Sequence, residues 1–362
     1  MLLLSLIMNM FLFIGLSVLL SVISMPVIIL ICKKLSLYDY HDERKIHSGD
    51  IPRLGGIGIV FAFLVSTILY LIKENSINML NHLPILIGAA IIFIFAIVDD
   101  ILNLPAIVKL IVQLAAVGTV TFNGYTFTQI FAWHLPTPVS IILTFGWILG
   151  VTNAYNLIDG LDGLCGNLSI TAILTLGVLY QLSGNNESAL CFILAGAIFG
   201  FLCFNWPPAK IFMGDNGSQF LGFMIATLPL YNSSDVFEFN KFLIMIVITS
   251  FAVFDTIAAI WRRIRDKKPI MTGDRSHLHH KLLNMGYTKQ SALYLITFLQ
   301  ILLCLSVIVS YFLGRMKGMA LLIESFSFMV LFFSLIHYTN RRVTLKKAEE
   351  AQNPKKEDET ND

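Results

Sequence analysis

Charge is what this sequence has least of. Asp, Glu, Lys and Arg make up 13% of its 362 residues, whereas a soluble domain carries about 25%. Hydrophobic residues make up 56%, and the mean hydropathy is +0.76. That balance excludes an ordinary soluble domain and points to an all-α polytopic membrane protein folded as one bundle. Net charge is only +2, so the total makes no case for a nucleic-acid partner, and none is expected. Cysteine is also scarce. The five residues (Cys32, Cys165, Cys191, Cys203, Cys304) have no metal-ligand spacing, which argues for free thiols. No Lys or Arg precedes Lys33, so the N-terminus lacks the positive n-region of a signal peptide. No Walker A loop is present, which argues against a P-loop ATPase.

What is there is long apolar runs. A span needs about 20 apolar residues, with a range of roughly 17–25. Eleven candidates lie near 4–32, 54–72, 83–98, 105–122, 137–153, 166–182, 189–204, 217–231, 241–261, 291–313 and 318–338. With the N-terminus outside, 21 of the 25 Lys and Arg fall in the inside segments and the tail. The positive-inside rule then places the C-terminus in the cytoplasm. Residues 1–340 read as the transmembrane domain. Residues 341–362 are polar and charged and are expected to form a solvated, disordered tail.

Every polar cluster falls on that same cytoplasmic side. At residues 153–163, N-A-Y-N-L-I-D-G-L-D-G follows one apolar run and precedes another. At helical pitch Asn153, Asn156 and Asp159 share one face, with Asp162 just beyond. Charged groups near hydrocarbon are costly, so they read as functional; an ordinary Asn/Asp/Gly turn is the structural alternative. Asp39 to Gly56 carries Lys45, His47 and Arg53 ahead of Gly55 and Gly56. Cations with backbone N–H groups at a helix start suit phosphate. Asp99 and Asp100 close another apolar run, with Lys109 ten residues on. Two adjacent carboxylates call for a cation, a metal or a proton, although Lys109 also fits a snorkelling interface lysine.

Residues 205–218 hold Phe212 and, between two glycines, Asp215. Carboxylate and amide oxygens, here Asp215 and Asn156, suit Mg²⁺ completed by substrate phosphates. The loop after the ninth run ends in Arg275, His277, His279 and His280. With no cysteine nearby, phosphate contact suits these histidines better than zinc. Asp255, inside the ninth run, reads as functional or paired to an arginine. Glu324, inside the last, has no visible partner. Together the clusters describe a cytosol-facing site where a phosphorylated, nucleotide-linked substrate meets something in the lipid. A transporter would instead place polar groups near the bilayer midplane.

The motifs D-D at 99–100, N-A-Y-N-L-I-D-G-L-D-G-L at 153–164, P-A-K-I-F-M-G-D-N-G-S at 208–218 and D-R-S-H-L-H-H at 274–280 closely resemble those of the polyprenyl-phosphate N-acetylhexosamine-1-phosphate transferases. The D-R-S-H-L-H-H form is similar to the branch acting on GlcNAc-1-phosphate (the WecA/TagO type). The resemblance implies that UDP-GlcNAc and undecaprenyl phosphate give undecaprenyl-pyrophosphoryl-GlcNAc and UMP, with Mg²⁺ (or Mn²⁺). It also implies a bacterial cytoplasmic membrane location, a place early in wall teichoic acid, lipopolysaccharide or capsule synthesis, and a homodimer. By the same carry-over Asp215 holds the metal, and Asp99 and Asp100 handle the lipid phosphate. Phe212 stacks on uracil, and Asn156, Asp159 and Asp162 surround the uridine or diphosphate. Arg275, His277, His279 and His280 meet the pyrophosphate or sugar. The alternatives are another UDP-N-acetyl sugar (UDP-FucNAc or UDP-QuiNAc), a lipid-linked sugar flippase, or a non-catalytic scaffold.

Overall fold

In lipid, a backbone that cannot reach water must satisfy its N–H and C=O groups internally, and a helix does this within one segment. The computed structural model describes residues 2–38, 51–74, 79–102, 104–185, 187–230, 235–269 and 277–352. It places a helix on each apolar run: α1 (Leu2–Lys34), α2 (Gly55–Lys73), α3 (Met79–Leu102), α4 (Ala106–Thr121), α5 (Thr137–Ile158), α6 (Leu164–Leu182), α7 (Ser188–Asn205), α8 (Gly214–Thr227) and α9 (Asp235–Arg265). The short α10 (Leu278–Asn284) and the long α11 (Lys289–Gln352) follow. A two-stranded hairpin, β1 (Gln129–Ile130) with β2 (Trp133–His134), joins α4 to α5. Pro26 and Pro84 lie inside α1 and α3, but two other prolines sit where they cost least. Pro105 and Pro136 precede the first turns of α4 and α5, and no backbone donor is lost there.

Eight helices among the described residues, rather than eleven, are long and apolar enough to cross a membrane. The difference has two sources. With 16 and 14 residues, α4 and α8 are short for a span. The last two expected spans run as one element, α11, whose backbone breaks only at Gly314 (φ 77°, ψ −171°). Of the tail expected from residue 341, residues 341–352 are helical, and residues 353–362 lie outside the described residues. α11 continues through Arg341 to Gln352, because Leu, Lys, Ala and Glu are good helix formers and the span has already nucleated the helix. All five cysteines are free thiols.

Within lipid the helices associate through close packing and interhelical hydrogen bonds. The α1–α7 pair shows this: Ser17 and Ser21 Oγ donate to the carbonyls of Ile193 (2.8 Å) and Ala197 (2.7 Å). At the centre of the bundle is α8, which packs against α2, α3 and α5. Every residue from Asn216 to Thr227 is buried. Only the start of α8, Gly214 and Asp215, is partly open, and the functional site forms there.

Candidate active site

The first N–H groups of a helix have no partner inside it, and for α8 a carboxylate from another helix supplies one. Asp100, at the end of α3, accepts from the Asp215 N–H through Oδ1 (3.1 Å). Through Oδ2 it accepts from the Asn216 N–H (3.0 Å) and from Asn216 Nδ2 (2.6 Å). Such a cap contributes roughly 0.5–2 kcal/mol, and here it fixes the residue that carries Asp215. Gly214 turns the chain into α8 with φ +75°, a conformation that favours glycine. Arg53 donates to the main-chain carbonyl of Asp100.

Asp99 faces the other way. Its Oδ1 accepts the Leu104 N–H (2.9 Å), and its Oδ2 lies 2.5 Å from Lys109 Nζ. The same ammonium is 3.7 Å from Asp215 Oδ2. Two carboxylates from different helices therefore converge on one cation. The Lys109 and Asp215 side chains are 32% and 34% exposed, whereas Asp99 is 2% exposed, so the pair opens to solvent on one side only. Asn156 Nδ2 donates to Asp215 Oδ1 (2.9 Å) and to Ser218 Oγ (3.1 Å). It thus meets Asp215 through its nitrogen and acts on that carboxylate as a donor.

A layer of amides lies one helical turn deeper. Asn153 and Gln113 exchange hydrogen bonds (3.0 and 3.3 Å). Gln113 Nε2 also donates to Gln219 Oε1 (3.1 Å), and Gln219 Nε2 reaches Asp215 Oδ2 (3.4 Å). Gln113 and Gln219 are buried and were not among the residues picked out from sequence. Their only signal is spacing, since each stands four residues after a site residue, Lys109 or Asp215.

A second group surrounds the end of α5. Asp159 is where that helix stops (φ −75°, ψ 46°), so it leaves the face shared by Asn153 and Asn156. A Cβ on Gly160 would stand 2.7 Å from His279 Cε1 and 2.8 Å from Nε2. The glycine thus makes room for a ring of this protein. His279 lies beside His280, with ring centroids 4.3 Å apart. Burial, reinforced by His280 and His277, pushes the His279 pKa down to about 3 against the opposing pull of Asp255, so the ring is neutral near pH 7. Its Nδ1 is buried without a hydrogen-bond partner among the described residues.

Asp255, whose role was open from sequence, holds this segment. Its Oδ2 lies 2.7 Å from His277 Nδ1, and its Oδ1 accepts the Leu278 N–H (2.8 Å). Asp162 Oδ2 accepts the Ala209 N–H (3.2 Å). Asn205 accepts the Gly163 N–H (2.9 Å) and donates to the Ile211 carbonyl (2.8 Å). These bonds tie the 159–163 turn to the loop carrying Phe212. One reading is corrected: the N–H groups of Gly55 and Gly56 donate to the Phe212 and Met213 carbonyls (2.9 Å each), which leaves them unavailable to a phosphate. Lys45, His47 and Arg275 lie outside the described residues.

The structure thus gathers Arg53, Asp99, Asp100, Lys109, Asn153, Asn156 and Asp215 at the head of α8. It sets Asp159, His277, His279 and His280 at the adjoining end of α5. Comparison with known proteins gives this geometry a context. Residues 82–233 match the family described as Glycosyl transferase family 4. Over 305 residues the chain is 36% identical to a Bacillus subtilis protein named "Probable undecaprenyl-phosphate N-acetylglucosaminyl 1-phosphate transferase", covering 81% of this chain and 82% of that one. The chain belongs to this family of polyprenyl-phosphate N-acetylhexosamine-1-phosphate transferases. An Escherichia coli member, named undecaprenyl-phosphate alpha-N-acetylglucosaminyl 1-phosphate transferase, is 30% identical over 286 residues (74% of each chain). A Mycolicibacterium smegmatis member, named decaprenyl-phosphate N-acetylglucosaminephosphotransferase, is 31% identical over 288 residues (71% of each chain). The family match spans α3 to α8, the segment that supplies most of the carboxylate cluster. Membership and the eight apolar helices make this a multi-pass membrane enzyme.

Proposed function

We propose that this enzyme transfers GlcNAc-1-phosphate from UDP-GlcNAc to undecaprenyl phosphate and releases UMP, with its site facing the cytoplasm. On this reading α4, α8 and the two halves of α11 complete eleven passes, with the C-terminus inside. The observation that carries the reading is the convergence of Asp99 and Asp215 on Lys109 at a partly open helix end. An oxygen of the lipid phosphate attacks the sugar-linked phosphorus of the donor. The bond from that phosphorus to the bridging oxygen breaks, and the electron pair leaves with UMP.

Phosphoryl transfer needs positioning and charge neutralisation above all. A phosphate monoester has its second pKa near 6, so the acceptor is already largely dianionic at pH 7 and little proton remains for a base to remove. The geometry agrees with that division of labour. Asp100 has both oxygens engaged in capping α8, which makes it an organiser of Asp215. Lys109 and Arg53 offset phosphate charge. The Nδ1 of buried His279, without a partner among the described residues, suits a phosphate or sugar group, because an unsatisfied buried polar atom costs about 1–3 kcal/mol.

Mg²⁺ fits this donor set. Among the described residues no three His, Cys, Asp or Glu side chains are grouped to hold a metal by themselves, but Mg²⁺ takes one or two carboxylates and completes its shell with phosphates. Asp215, partly open at the head of α8, would hold it, with Asn156 keeping that carboxylate in place. When bound, the ion neutralises charge on the phosphates.

The test is product identity. Protein supplied with UDP-GlcNAc, undecaprenyl phosphate and Mg²⁺ is expected to release UMP, and to lose that activity with EDTA or in Asp215→Ala. Release of UDP would mean sugar transfer without the phosphate and would overturn the proposal. UMP from a different UDP-N-acetyl sugar alone would keep the chemistry and change the donor.

A further inference from the structure

A seven-residue helix does not stand alone. Isolated helices shorter than about 12–15 residues are marginal in water, and α10 has seven. It nevertheless carries His279 and His280 and must present them in one orientation. Its N-terminal end is gripped by Asp255, and its apolar residues Leu278 and Leu282 are fully buried. Its C-terminal end is gripped by a part of the protein with no assigned role, the polar end of α11.

The grip centres on Asn284, the last residue of α10. Asn284 Nδ2 donates to Asn340 Oδ1 (2.8 Å) and to Thr344 Oγ1 (3.1 Å). Lys347 Nζ donates to the Asn284 main-chain carbonyl (2.8 Å) and to its Oδ1 (2.9 Å). Asn340, Thr344 and Lys347 stand at i, i+4 and i+7, so one face of α11 supplies all three. The last carbonyls of a helix have no partner inside it, and a cation there is favoured by the helix dipole. Lys347 meets both needs. His280 and Asn284 are four residues apart, so whatever fixes Asn284 also fixes the turn bearing His280.

We propose that the polar end of α11 is a positioning device for the histidine segment, acting through Asn340, Thr344 and Lys347 on Asn284. The consequence for catalysis rests on the function proposed above, in which His279 meets a phosphate or sugar group of the donor. Lys347 itself touches no substrate.

The experiment uses the full chain in lipid nanodiscs and compares wild type with Lys347→Ala, Lys347→Arg, Asn284→Ala and Arg342→Ala. Arg342 carries the same charge on the same helix but lies over the Tyr338 ring (4.9 Å), so its loss is the control. Lys347→Ala and Asn284→Ala are expected to lower kcat/KM about tenfold through a higher KM for UDP-GlcNAc, since small misplacements of catalytic groups cost this much or more. The KM for undecaprenyl phosphate and the thermal midpoint stay unchanged. Lys347→Arg, which can donate to the same oxygens, recovers most of the loss. Amide hydrogen exchange across 277–286 is expected to quicken in the two alanine variants and not in Arg342→Ala.

Equal losses toward both substrates with a lower thermal midpoint would show a general stabilising role and overturn the proposal. So would wild-type exchange and kinetics in Lys347→Ala. Hydrogen exchange does not depend on the reaction. If wild type released no UMP, the assigned function would fail while the exchange data still decided the positioning role.

Discussion

Among the described residues, Lys241 and Lys109 each lie 2.5 Å from a carboxylate, in contrasting settings. Lys241 pairs with Glu238 three residues away on the same helix. It is 3% exposed and lies 5.9 Å from the centre of the Phe237 ring. Lys109 pairs with Asp99 across two helices and reaches Asp215 on a third, with its side chain 32% exposed. Fourteen residues of α9, or about 21 Å of helix, separate Lys241 from Asp255, which marks the histidine end of the bundle. A pair closed within one helix and sealed by an aromatic ring satisfies itself. A pair assembled from three helices and left open on one side keeps charge available to a ligand. Distance alone does not separate the two; connectivity and exposure do.

The sharpest way to break this contrast is to remove each lysine in turn. Lys109→Ala is expected to lower turnover by about 10²-fold or more and to lower the thermal midpoint as well, because Asp99, 2% exposed, loses its cation. Lys241→Ala is expected to leave turnover within about twofold while costing roughly 1–3 kcal/mol of stability, because the partly buried Glu238 loses a charge-assisted hydrogen bond. Parallel assays of UMP release and thermal unfolding would show either outcome, and equal losses of turnover in the two variants would erase the distinction.

A smaller effect is expected at the edge of the open site. Gly160→Ala places a methyl group 2.7–2.8 Å from the His279 ring, and displacing that ring should lower kcat/KM about tenfold without loss of folded protein. Rates equal to wild type would show that His279 has no fixed role. Smaller again is Asp99→Asn. Because the acceptor phosphate has its second pKa near 6, this variant should keep substantial activity above pH 7, with a deficit that grows as pH falls. A loss equally complete from pH 6 to pH 9 would instead make the Asp99 charge essential to organisation at every pH.

The effect expected to touch activity least is on stability. The His279 pKa of about 3 in the folded protein lies below the ordinary value near 6.5. As pH falls, the unfolded chain binds this proton first. The stability contributed by the neutral ring is therefore complete above about pH 6.5 and is lost progressively toward pH 3. His279→Gln should flatten that part of the curve of thermal midpoint against pH.

The candidate site was legible wherever polar residues interrupt apolar runs. Asp99, Asp100, Asn153, Asn156, Asp215 and the histidines all stood out for that reason. Gln113 and Gln219 did not, because a neutral amide inside a helix is locally unremarked until its partner is known. Asp255 stood out by its place in a span, but its partner His277 was not named. Gly55 and Gly56 read as donors to a phosphate, whereas the fold engages their N–H groups with its own carbonyls, and Gly160 makes room for a histidine ring.

By itself the sequence determined the membrane class, the positions of the helices and the gathering of polar groups at run ends. These properties depend on stretches of roughly 20 residues and on the cost of charge in hydrocarbon, both of which act locally. Tertiary structure alone decided the partnerships. Asp100 caps a helix through Asn216, 116 residues away, and Lys109 joins carboxylates from two other helices. Such pairings follow from which helix faces meet, and in lipid that is settled by side-chain packing and interhelical hydrogen bonds between segments far apart in the chain.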